Sequence, residues 1–247
     1  MLHKTRGLAL RQTRYGETSL IVKLYTEAFG SQSYILNGAR SAKSRTRAAL
    51  FQPPNLLDLE VYYQEGRDLQ RIREVRPLHV YARIPYSIAH SSVALFLTEV
   101  LGKCLRDEHA TDGLFPFLEE RLLELDTCER GLAIFPLRFL LGLSQHFGFQ
   151  PQGFCSEQTP WFDLQEGLFV ASRPAHGYAL FPEESQVLHQ LLQQPHLLND
   201  TPLLLPGALR QSLLDNLLVY FRFHVDGFGL LRSPAILHEV LAKGGPS

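Results

Sequence analysis

The chain has 247 residues, 24 Lys/Arg and 25 Asp/Glu, a net charge of -1. With 45% hydrophobic and 20% charged residues, it can bury a sizeable core, and composition excludes a disordered or low-complexity chain. The net charge alone argues against a nucleic-acid binder, but it averages two unlike halves. Residues 1–83 hold 14 Lys/Arg against 7 Asp/Glu, a surplus of 7, whereas residues 84–247 hold 10 against 18, a deficit of 8. Such asymmetry points to an anionic partner for the basic half.

In chain order, Met1–Arg6 alternates instead of opening an apolar run, so no signal peptide is expected. Gly7–Gln12 reads as extended, Tyr15-Gly16-Glu17 as a turn, and Ser19–Tyr25 as a strand with Leu20, Val22 and Leu24 on one face. Phe29-Gly30 turns into Ser33–Leu36. Leu56–Tyr62 and Leu69–Val75 complete five strands, separated by a turn at Glu65–Asp68. This is the size and rhythm of an OB-fold barrel, and an SH3-like barrel fits the same rhythm.

From Pro85 the period becomes helical. Val93, Leu97, Val100, Leu101 and Cys104 form one stripe. A second helix starts at Asp112-Gly113 and ends near Cys128, and a third covers 132–147. A long helix falls near 206–225, and a last one carries Pro234 in its first turn. The longest apolar stretch, Gly131–Leu143, is broken by Pro136 and Arg138, too short to span a bilayer. Residues 149–180 read as irregular, with a small hairpin of Trp161–Leu164 and Gly167–Val170. Glu119-Glu120 and Glu183-Glu184 read as first-turn helix charges. The expected architecture is therefore α+β and multidomain: a five-stranded OB-fold barrel over 1–80, then an all-α domain over 81–247 with an insertion at about 149–180.

The sharpest local feature is Gly38–Arg47, with Arg40, Lys43, Arg45 and Arg47 and no acid. A flexible basic loop on a barrel rim can wrap phosphates and release counterions. An isolated cluster of this kind also serves simply as a solvated loop, and it is the surrounding surplus that favours binding. Lys4, Arg6, Arg11, Arg14 and Lys23 add cations on the strands. Tyr15, Tyr25, Phe29 and Tyr34 are aromatics able to stack bases, although barrels bury such residues routinely. No phosphate-cradling glycine motif, nucleophile elbow or His-Glu-x-x-His is present. Cys104, Cys128 and Cys155 offer no disulfide framework and suit a reducing cytoplasm. Cys155 is a conceivable nucleophile, but no cation or His neighbours it in sequence. No catalytic residue is assigned.

Thr5–Leu10, Tyr15-Gly16-Glu17, Thr26–Gly30, Gly38-Ala39-Arg40, Lys43-Ser44-Arg45 and Leu50–Pro53, in this order and spacing, resemble the RecO family of bacterial recombination proteins. Tyr220–Gly229 and Arg232–Leu237 resemble that family's C-terminus. The resemblance implies an OB-fold, a helical domain and a non-enzymatic role in DNA repair. Family members bind single- and double-stranded DNA and anneal complementary strands. With RecR they help load the recombinase onto DNA coated by single-stranded DNA-binding protein. The resemblance also implies a groove for that protein's acidic tail, for which Arg222 and Arg232 offer a basic spot, and a cytoplasmic, nucleoid-associated location.

One departure matters. Many members carry a zinc site of two Cys-x-x-Cys pairs, but here Cys155 stands alone, Gln158 occupies its pair position, and 159–247 contain no Cys. No zinc and no other cofactor is expected, with hairpin packing in place of the metal. The residues by themselves leave open an RNA-binding OB protein, or an adaptor whose basic surface meets an acidic protein.

Overall fold

The computed structural model describes residues 1–37, 48–105, 110–193 and 205–243. These divide between two compact units, residues 1–86 with 97–126, and residues 87–96 with 127–247. The first unit is built on strands β1 (Leu2–Tyr15), β2 (Ser19–Thr26), β3 (Gly30–Leu36), β4 (Leu56–Tyr62) and β5 (Gln70–Pro77). They close into a barrel of order β1-β2-β3-β5-β4, antiparallel throughout except between β3 and β5. Placing β5 between β3 and β4 is the OB-fold arrangement, which decides between the two barrel types that strand rhythm leaves open.

The barrel interior is filled by Ala9, Val22, Leu24, Tyr34, Leu57, Leu59 and Val61, alternate residues of neighbouring strands. Strand β1 is much longer than the Gly7–Gln12 run because it serves two partners. Its first half pairs with β4 and its second half with β2. At Gly7 an added Cβ would lie 2.7 Å from Leu59 Cδ1, so the closing strand needs a residue without a side chain there.

Helix α1 (Ile88–Cys104) enters the first unit at Leu97, and α2 (Leu114–Thr127) follows. Within that unit the Tyr25 hydroxyl accepts from Thr111 N–H at 3.1 Å, and Tyr81 donates to the Pro54 carbonyl at 2.9 Å. The outward row Leu56, Leu8, Tyr25 and Ser31 is accordingly buried although it lies outside the barrel wall. Glu119 and Glu120 differ from expectation. Helix α2 begins at Leu114, so they lie in its second turn, and their role is ion pairing with Arg6 and Arg121.

The second unit carries α3 (Phe135–His146), α4 (Pro182–Gln193), α5 (Gly207–His224) and α6 (Ser233–Lys243). It also carries β6 (Trp161–Asp163), β7 (Leu168–Val170) and β8 (Ala179–Leu180), in sheet order β7-β6-β8. The expected hairpin is therefore two strands of a three-stranded sheet. Phe162 is its buried centre, edge-on to Phe169 and to Tyr220 of α5. Tyr220 donates to the Phe149 carbonyl, and Phe149 stacks on His224. Glu183 and Glu184 do open α4, but Glu184 is buried, accepting from Phe181 N–H, Ser212 and Asn216. Among the described residues, no helix is long and apolar enough to cross a membrane.

Candidate nucleic-acid interface

The β1–β2 ribbon sets the cations. Ala9 lies opposite Leu24, and the next pair is Arg11 opposite Lys23, so Leu10 is an extra residue in β1. Strict alternation from the inward Ala9 would send Arg11 into the core. The bulge shifts the phase and turns Arg11 outward, beside Lys23. Two like charges directly opposite repel. Among the described residues, no carboxylate lies within ion-pair distance of Arg11, Lys23 or Arg14. Arg14 is exposed near the hairpin end, opposite Leu20.

Arg40, Lys43, Arg45 and Arg47 lie outside the described residues. The flanks of that segment are described. Ser19 donates to Asn37 Oδ1 at 3.4 Å, and Gln12 donates through Nε2 to the Ala48 carbonyl at 2.7 Å. The basic segment thus leaves and rejoins the barrel on the ribbon that holds Arg11, Arg14 and Lys23.

Lys4 and Arg6 are placed differently. Lys4 has an 82% exposed side chain 3.7 Å from Glu60, which also pairs with Arg73 at 3.3 Å. Arg6 donates to Glu27 through Nε and Nη2 at 2.8 and 2.5 Å, and through Nη1 to Glu119 at 2.5 Å. Its guanidinium sits over the Phe115 ring, 5.0 Å from the centroid. The Glu27 hydrogen bonds, offset in part by desolvation and joined by Glu119, raise its pKa further, and Arg6 lowers that of Glu27. Arg6 therefore holds β1, the β2–β3 turn and α2 together, and a phosphate would have to compete with two carboxylates for it.

The aromatics sort as barrel packing predicts. Tyr25 and Tyr34 are buried, and Phe29 stacks on Tyr63 with centroids 4.0 Å apart. Tyr15 is half exposed at the ribbon end. Two further residues belong with these outer-face groups, Arg71, exposed on β5, and Tyr62, exposed on β4. Alternation within Leu69–Val75 held the signal for Arg71, since Ile72 faces inward beside Val61.

Burial pushes the Cys155 thiol up, away from thiolate formation. Among the described residues, no three His, Cys, Asp or Glu side chains converge as a metal site. A four-Cys centre does not fit this chain, whose Cys155 has no second Cys near it.

Residues 1–81 match the family model described as Recombination protein O N terminal, and residues 85–230 match Recombination protein O C terminal. The chain belongs to the RecO family. Relatives along its length are named DNA repair protein RecO. That of Phocaeicola vulgatus is 33% identical over 243 residues, spanning 98% of this chain and 100% of that protein. That of Bacteroides fragilis is 34% identical over 244 residues, 97% of this chain and 99% of the relative. That of Flavobacterium psychrophilum is 32% identical over 240 residues, 97% and 99% of the two chains. The RecO N-terminal match ends where the barrel does, just beyond β5, so the cations of the ribbon belong to the N-terminal family region.

Proposed function

We propose that this RecO-family chain acts in DNA repair and homologous recombination as a mediator that makes and breaks no covalent bonds. It binds single- and double-stranded DNA and anneals complementary strands. With RecR it helps load the recombinase onto DNA coated by single-stranded DNA-binding protein, in the cytoplasm at the nucleoid. The observation that carries this reading is the Arg11–Lys23 pair, uncompensated among the described residues, with Arg14 and both flanks of the Arg40–Arg47 segment on the same ribbon. Two DNA strands repel as they approach, and cations held on one rigid face lower that repulsion. Contacts of this type are to phosphate and are tolerant of sequence. Lys4 contributes at the edge, while Arg6 positions the barrel against α2. The second unit, with its acidic balance, is the proposed docking body for RecR and for the acidic tail of single-stranded DNA-binding protein.

The test is the double variant Arg11→Glu/Lys23→Glu in a salt-series DNA-binding assay, followed by strand annealing with and without single-stranded DNA-binding protein on the DNA. Affinity should fall at least about tenfold and the log–log salt slope should shrink by about two, one per lost phosphate contact. Arg6→Ala should leave the slope unchanged while lowering stability by about 1 kcal/mol. Unchanged affinity and slope in the double variant would overturn the interface. A matched RNA competitor that displaces DNA at equal concentration would overturn the DNA assignment.

A further inference from the structure

Strand register extends the ribbon into a longer lane. Thr13 lies opposite Ile21, Ile21 opposite Ile35, Ile35 opposite Arg71, and Arg71 opposite Tyr62. The five occupy successive strands β1, β2, β3, β5 and β4. All point outward, since their neighbours Val22, Tyr34 and Val61 fill the core and Gln70 is buried. Directly beside this row runs a second, Arg11–Lys23–Ser33. The third row along, Leu8–Tyr25–Ser31, is buried, so the lane has a closed border on that side.

The chemistry of the two rows differs. The first offers flat or branched apolar surface, from Ile21 and Ile35 to the Tyr62 ring, which is 50% exposed. The second offers cations. Among the described residues, no carboxylate lies within 4 Å of Arg71. In the turn that follows Tyr62, Glu65 and Asp68 outnumber Arg67, so the acid balance there favours a polyanion's backbone lying toward Lys23 and Arg11. On β1–β3 the apolar row has Arg11 and Lys23 beside it, and on β5–β4 Tyr62 has Arg71 beside it; apolar and aromatic surface flanked by cations in this way matches a nucleic-acid strand whose bases are splayed out on one side of its backbone. A duplex, with its bases stacked inside, offers Tyr62 nothing.

We propose that Tyr62, flanked by Arg71 and in one row with Ile35 beyond it, is a base-stacking platform by which this chain tells single-stranded from double-stranded nucleic acid. The idea rests on the barrel reading above and adds strand class to it. Phosphates run along Arg11 and Lys23, and the bases lie across Ile21, Ile35 and Tyr62.

The test uses the full chain, a fluorescently labelled mixed-sequence DNA oligonucleotide and its duplex, measured over a salt series. Tyr62→Ala should weaken the single strand about tenfold, the loss of one base–aromatic stack, with the salt slope and the duplex affinity unchanged. Tyr62→Phe keeps the ring and should restore binding. Arg71→Ala should weaken both forms and reduce the slope by about one. Circular dichroism melting of each variant checks that the barrel is intact. Unchanged single-strand affinity in Tyr62→Ala, or equal weakening of both forms in a folded variant, would overturn the platform. The two readings fail separately, because a silent Tyr62→Ala leaves the effect of Arg11→Glu/Lys23→Glu in place, whereas a silent double variant removes the barrel interface itself.

Discussion

The Asp126 carboxylate, almost fully buried in the last turn of α2, accepts N–H groups of Ala82, Arg83 and Ile84 at 2.8, 2.9 and 2.9 Å, with His79 3.7 Å away. Burial alone would push this carboxyl up, but the three backbone donors and His79 outweigh it and hold its pKa below the usual aspartate value. A depressed folded pKa contributes stability that is complete above the unfolded pKa and is lost as pH falls through the folded one. Asp126→Asn, which turns an acceptor into a donor facing those N–H groups, should cost about 1–3 kcal/mol at neutral pH. Urea melts of the two proteins should differ most near pH 7, and the gap should narrow progressively below about pH 4. A gap that widens on acidification would refute the assignment. Neither this staple nor the Arg6 clamp is legible in the sequence. Arg6 counts as one more cation of a basic half until the fold brings up Glu119, 113 positions away.

At the scale of elements, most of the barrel is legible because its interior alternates: Leu20, Val22, Leu24 and the 56–62 run declare their strands. The Leu10 bulge is not, since one extra residue leaves no mark in composition, yet it decides that Arg11 meets solvent. Helix α4 announces itself by Glu183 and Glu184, but the burial of Glu184 depends on Ser212 and Asn216 of α5. Strand β8 is two residues long and has no periodicity to read. The small sheet makes a direct prediction. Gly167 turns β6 into β7 at φ +72, and an added Cβ would lie 2.9 Å from the Tyr220 hydroxyl. Gly177 has φ +82 but open space around it. Gly167→Ala should therefore cost about 2–3 kcal/mol, strain plus collision, and Gly177→Ala only about 1 kcal/mol of strain. Thermal melts of the two variants check this. Equal losses would mean that the Tyr220 contact does not hold the sheet.

Over the whole molecule, the charge split near residue 83 and the compact units part company. Residues 97–126 bring 8 Asp/Glu and 3 Lys/Arg to the barrel, so the first unit holds 17 cations against 15 anions. Its surplus of 7 thus shrinks to 2, and what distinguishes the proposed interface is where charge goes unanswered, not how much is present. Arg6 is answered twice, whereas Arg11 and Lys23 are not answered among the described residues. The second unit packs Phe149, Phe162, Phe169 and Tyr220 against one another around its small sheet. A strong zinc chelator should accordingly leave its melting temperature unchanged, and elemental analysis of the purified chain should find no stoichiometric zinc. A fall in melting temperature on chelation would overturn this. The two tethers at Asn37 and Ala48 carry one more consequence. On the proposed reading, a strand resting on Arg11 and Lys23 would meet the Arg40–Arg47 cations at an effective concentration set by the ten residues of chain between those tethers, not by the concentration of protein in solution. Weak phosphate contacts linked in this way would give avidity while each still lets go quickly, which suits the proposed mediator role of handing a strand on.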